Sequence, residues 1–133
     1  MGAGGSGNAN RAGVVPGGQE DLTANVGDRV YFDYNMSMLK DDGRAALDRQ
    51  AAWLARYAQV SVQIAGNCDE RGTEEYNLAI GQRRASAARD YLVAKGVASA
   101  RIATISYGKD RPTALGSNEA AWAQNRNAIT SVR

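Results

Sequence analysis

The sequence contains no histidine and only one cysteine among its 133 residues. Without histidine there is no Ser-His-Asp or Cys-His nucleophilic pair, and the commonest neutral metal ligand is missing too. Much hydrolytic and metal-assisted chemistry is thereby excluded. The lone thiol, Cys68, has no partner for an internal disulfide and no companions for a closed zinc site, so it reads as a small half-buried filler. No apolar run approaches the ~20 residues that a spanning helix needs. A charged-then-apolar leader and a lipid-attachment cysteine near the N-terminus are also lacking, and the chain as given is expected to be soluble. Charge of one sign is scarce as well: 16 Lys plus Arg stand against 14 Asp plus Glu, a net charge of +2. So weak a field favours neither nucleic acid nor an anionic membrane, and partners have to be chosen by local geometry. No cofactor motif is present, and no cofactor is expected.

What is there has the size of one ordinary domain. The opening MGAGGSGNANRAGVVPGGQ is too poor in apolar residues to offset its ordering entropy. Residues 1–22 read as a flexible tether, the first few compatible with an expression scar, and 23–133 as the domain. In RVYFD, Val30 and Phe32 share one side of a short strand. Leu39, Ala46, Leu47, Gln50, Trp53, Leu54 and Tyr57 then recur at steps of three, four and seven, which predicts an amphipathic helix over about 38–57. VSVQIAG alternates as a half-buried strand should. After the polar loop GNCDERGT, Thr73 is placed to cap a helix that runs to Lys95 and stops at Gly96. A third strand over 102–107, a short helix over 119–125 and a final strand NRNAITSVR complete the pattern, the last with polar Thr130 interrupting its apolar side. Strands separated by helices imply crossovers and parallel pairs. The fold class expected is α+β, a β-α-β-α-β-(α)-β sandwich with a mixed four-stranded sheet and helices packed on one face.

Read from residues alone, the charged positions leave alternatives open. Asp69, in DER beside Arg71, can cap the following helix or pair with a local arginine. Arg84 beside Arg83 fits a solvated helix face. Asp69 and Glu70 are adjacent in one loop, which does not set two carboxylates across a glycosidic bond. Asp69, Glu70 and Glu74 lack the alternating spacing of a calcium loop. Trp53 and Trp122 suit core and core edge better than sugar platforms.

An ordered set of segments narrows the choice: VYFDY (30–34), LDRQAAWL (47–54), GNCDERGTEEYNLAIGQRRASAARDYL (66–92), ISYGKDRP (105–112) and ALGSNEAAWAQNR (114–126). Over Val30–Arg133 the chain resembles the OmpA-like domains of the peptidoglycan-associated lipoprotein kind. The resemblance implies a non-catalytic module of the Gram-negative periplasm, associated with the outer membrane. It implies binding of the peptidoglycan peptide stem through diaminopimelate and docking to a TolB-like protein. The free end of diaminopimelate is a zwitterion, which calls for a carboxylate facing its ammonium and a guanidinium facing its carboxylate. Asp69 and Arg84 stand at the family's positions for these roles, with Phe32, Asp33 and Asn77 lining or shaping the same groove.

The chain also departs from that pattern. Asn67 and Ser117 stand where the family has histidine, Asn127 where it has the second arginine of NRR, and Asn35 where it has an acidic residue. Met36 and Met38 bring adaptable apolar surface to the same stretch. Taken together as a remodelled groove rim, these six residues suggest a second reading: an engineered binding domain on the same scaffold, with a designed protein partner in place of the cell wall.

Overall fold

The computed structural model describes residues 13–133; the first twelve residues of the expected tether lie outside them. A four-stranded sheet carries β1 (Arg29–Tyr31), β2 (Val62–Asn67), β3 (Ile102–Gly108) and β4 (Asn127–Val132) in the order β1-β4-β2-β3. β2 and β3 are parallel, while β4 runs antiparallel to both β1 and β2, so the sheet is mixed as expected. The helices are α1 (Gln19–Asp21), which continues as a π turn over Leu22–Val26, α2 (Asp41–Arg56), α3 (Glu74–Ala94) and α4 (Glu119–Asn125).

Local chemistry sets the helix ends. The Thr73 hydroxyl accepts from Tyr76 N at 3.1 Å, and the Asn118 carbonyl accepts from Ala121 N at 2.9 Å, each satisfying a donor that the first turn would otherwise orphan. α3 ends before Gly96, whose φ of +104° is the left-handed value that favours glycine.

The apolar stripe of α2 and the inner face of α3 meet the sheet in one core, with Phe32, Leu47, Leu54, Val62, Ile64 and Leu92 all buried. Crowding is tightest where α3 crosses β2. A Cβ built on Gly66 would lie 1.7 Å from the carbonyl oxygen of Gly81, so backbone approaches backbone with no room for a side chain.

Two departures from the sequence reading have clear causes. Leu22 is wholly buried and Asp21 nearly so, its carboxylate accepting from Trp53 Nε1 at 2.9 Å and from Gly17 N at 2.9 Å. The boundary expected between residues 22 and 23 thus falls inside a packed helical turn. Thr130, which breaks the apolar pattern of the last strand, is also buried; its hydroxyl donates to Gln50 Oε1 at 2.8 Å, while Gln50 Nε2 donates to Gly27 O at 3.0 Å. The Thr130 hydroxyl and the Gln50 amide thus find partners inside the core, which offsets the cost of burying them.

Candidate functional site

β1, the turn after it, the end of β2 and the start of α3 converge on a narrow cleft. Its walls include Tyr34, Asn35, Asp69, Arg71, Tyr76, Asn77 and Arg84, and it encloses about 40 Å³. Asp69 and Arg84, fifteen residues apart in sequence, reach the same cleft because β2 delivers one at its C-terminal end and α3 returns the other across that end.

Arg84 is only 1% exposed. Its Nε donates to Met36 O at 2.8 Å, and its two terminal nitrogens donate to Asn67 O at 2.9 Å and Asp33 O at 3.1 Å. Three of the five N–H donors of a guanidinium are therefore spent on backbone carbonyls of the turn after β1 and of the last residue of β2. Its face lies 5.3 Å from the centre of the Phe32 ring. Burial pushes its pKa below the usual arginine value. The solvated helix face left open by the sequence is thus ruled out.

Asp69 is 4% exposed and surrounded by donors. One carboxylate oxygen accepts from Arg71 N and Nε, both at 3.1 Å; the other accepts from an Arg71 terminal nitrogen at 2.8 Å and from Arg126 at 3.3 Å. Burial alone would raise its pKa, but the hydrogen bonds from Arg71 and Arg126 outweigh that and hold it below the ordinary carboxylate value. Arg71 itself sits between two rings, 4.0 Å from the centres of Tyr34 and Trp122. Arg126 is buried and continues the network to Phe32 O at 2.9 Å and Glu119 at 2.9 Å.

Arg126, Tyr34 and Tyr76 are site residues that sequence reasoning did not single out; Arg71 entered it only as a local partner for Asp69, and Trp122 only as core edge. Their signal was present only as membership of the quoted motifs. Nothing in the spacing of residue 126 from residue 69 brings an arginine to that carboxylate; the β2–β4 pairing does.

The remaining expected site residues divide. Asn77 is buried and staples the loop to the helix, donating to Arg71 O at 2.8 Å and Thr73 O at 3.0 Å. Phe32 lies beneath Arg84, inside the core. Asp33 offers its carbonyl to Arg84, while its carboxylate points outward to Lys40 at 3.1 Å. Asn35 lines the cleft in the left-handed conformation, φ +62°, and accepts from the Tyr76 hydroxyl. Met36 and Met38 are exposed, and so is Ser117, beside Glu70.

Asn67 and Asn127, however, are not rim residues. Both are buried, they are register partners on β2 and β4, and Asn67 Nδ2 donates to Asn127 Oδ1 at 2.8 Å. Two of the departures from the family pattern therefore answer one another across the sheet, and a single rebuilt surface comprising all six residues does not exist. Among the described residues no group of three His, Cys, Asp or Glu side chains could hold a metal, and no helix is long and apolar enough to cross a membrane.

Comparisons with known proteins bear on the family and the fold. The OmpA family model matches residues 31–126. The chain belongs to the OmpA family. Within it, this OmpA-family domain is 52% identical over 119 residues to the peptidoglycan-associated lipoprotein of Mesorhizobium japonicum, covering 90% of the chain and 71% of that protein. It is 54% identical over 117 residues to that of Rhizobium meliloti, covering 88% of the chain and 66% of that protein. The crystal structure of the peptidoglycan-associated lipoprotein from Burkholderia pseudomallei superposes with a TM-score of 0.77 at 45% identity, over 80% of this chain and 90% of that one. The C-terminal domain of Helicobacter pylori MotB, at 18% identity and a TM-score of 0.74, shares the fold. Nothing in these comparisons supports the engineered reading.

Proposed function

We propose that this domain is a non-catalytic anchor that holds the peptide stem of peptidoglycan through the zwitterionic end of diaminopimelate. Family membership supports the class of ligand. The observation that carries the assignment to this cleft is the pairing of a guanidinium and a carboxylate, Arg84 and Asp69, in the wall of one narrow cleft. A zwitterion needs both signs in one site, and this cleft has both in its wall. Arg84 keeps donors beyond the three engaged by backbone. Asp69 is already encircled by Arg71 and Arg126, so an incoming ammonium competes with Arg71, the partly exposed one of the two. The same reading places the domain in the periplasm against the outer membrane, with a TolB-like protein as a second partner.

Because Asp69 and Arg84 also hold the loops together, the cleanest test changes the ligand and leaves the protein intact. A muropeptide carrying diaminopimelate is expected to bind saturably, with chemical-shift changes centred on Asn35, Asn77 and Arg84. Amidating the free carboxylate of its diaminopimelate should weaken binding by roughly thirty- to a hundred-fold, the worth of one charge-assisted pair at about 2–3 kcal/mol. Equal affinity for the acid and the amide would remove the assignment.

A further inference from the structure

The two edges of the sheet differ in a way that the cleft does not use. β1 is three residues long, carries Arg29 in an ion pair with Asp28 at 2.8 Å, and is preceded by the packed N-terminal helical segment. β3 is seven residues, Ile102-Ala103-Thr104-Ile105-Ser106-Tyr107-Gly108, with neither proline nor any charged side chain. It pairs on one side only, with β2. Turn bonds close its ends, Ile102 N to Ser99 O and Asp110 N to Tyr107 O. Between them, the backbone groups of Ala103–Ser106 that point away from β2 have no partner among the described residues. Sheet edges are ordinarily blunted by shortness, charge, proline or a bulge on the exposed side, since a flat unpaired edge is a template for another strand. β3 is long, uncharged and free of proline, and its one irregularity, the extra residue Tyr107 opposite the Gly66–Asn67 step of β2, lies beyond the Ala103–Ser106 stretch.

The surroundings say what kind of strand fits. Ile105 and Tyr107 stand half-buried on the uncovered face of the sheet, and Leu78 of α3 lies against Gly108 at 38% exposure. At the C-terminal end of the edge, the Arg111 guanidinium stacks 3.7 Å from the Tyr107 ring centre and forms no ion pair among the described residues. Asp110, next in the chain, makes no ion pair with it. A second copy of this chain is a poor occupant: antiparallel pairing centred on Ile105 sets Arg101 opposite Lys109, and like charges directly opposed destabilise a ladder. We propose that β3 accepts an extended segment of a partner protein by strand addition, its apolar residues alternating with polar ones and a carboxylate meeting Arg111.

The test uses the isotopically labelled domain and two capped synthetic peptides, Glu-Val-Thr-Val-Thr-Val-Glu and the same sequence with lysine at both ends. The acidic peptide is expected to slow exchange of the outward β3 amides at least ten-fold and to bind at least ten-fold more tightly than the lysine peptide. Arg111→Glu should reverse that preference without altering muropeptide shifts at Asn77, which keeps this reading separable from that of the cleft. Three results each overturn the proposal: no protection of β3 by the acidic peptide, protection that is indifferent to peptide charge and to Arg111→Glu, or protection that rises with domain concentration alone and so reports a second copy.

Discussion

Replacing Arg84 by alanine tests whether this side chain is a structural tie as well as a ligand contact. The substitution strands the carbonyls of Asp33, Met36 and Asn67, which Arg84 now satisfies. Each such group costs about 1–3 kcal/mol when it is buried and unpaired, although water entering the cleft recovers part of that. Removing a cation whose burial is itself unfavourable offsets a further share. The net loss expected is about 3 kcal/mol. For a domain of this size each kcal/mol moves the melting temperature by roughly 3–5 °C, so a fall of about 10–15 °C is expected in a thermal melt followed by circular dichroism. Arg84→Lys, which keeps the charge but cannot serve three carbonyls at once, should fall nearly as far. A melting temperature within about 3 °C of the parent for the alanine variant would refute the reasoning, because the turn after β1 and the end of β2 would then hold their shape without the guanidinium. Ligand binding has to be compared at a temperature where both variants are folded; otherwise loss of the cleft is mistaken for loss of a contact.

Three further outcomes are expected. Asp69, whose pKa is depressed in the folded domain, contributes stability that is present above the unfolded value near pH 3.9 and is lost as pH falls through the lower folded value. Asp69→Asn should therefore be less stable at pH 6 by roughly 2–3 kcal/mol in denaturant titrations, with the gap closing below about pH 4; a gap independent of pH would contradict this. Gly66→Ala forces a Cβ onto Gly81 O and should cost about 3 kcal/mol or more, read as a lowered denaturant midpoint, since backbone there cannot yield without moving α3. Finally, Asn67→His and Asn127→Arg should each destabilise alone, while the double variant recovers at least about 0.5 kcal/mol relative to additivity, because the two side chains are direct partners; strict additivity would show that their pairing carries no energy.

The period of the apolar residues and the capping chemistry were legible in the chain by itself. They pointed to a helix over about 38–57, formed over Asp41–Arg56, and to the cap at Thr73, the stop at Gly96 and the order of strands and helices, because those signals act over one or two turns of chain. The quoted motifs likewise pointed to Asp69 and Arg84 as residues of one site. What only the tertiary structure decided lies at longer range. β4 inserts between β1 and β2, and that pairing brings Arg126 to Asp69, sets Asn127 against Asn67 and hides Thr130 against Gln50. Polar residues that break a local pattern look exposed when read in sequence, since their partners stand 57 to 80 positions away. The burial of Asp21 and Leu22 was illegible for the same reason: neither has a local cause to order, and the apolar floor and the Trp53 indole that hold them come from α2. Hydrophobic period and helix capping are local properties of a chain, whereas the satisfaction of a buried charge or amide is a property of the assembled sheet.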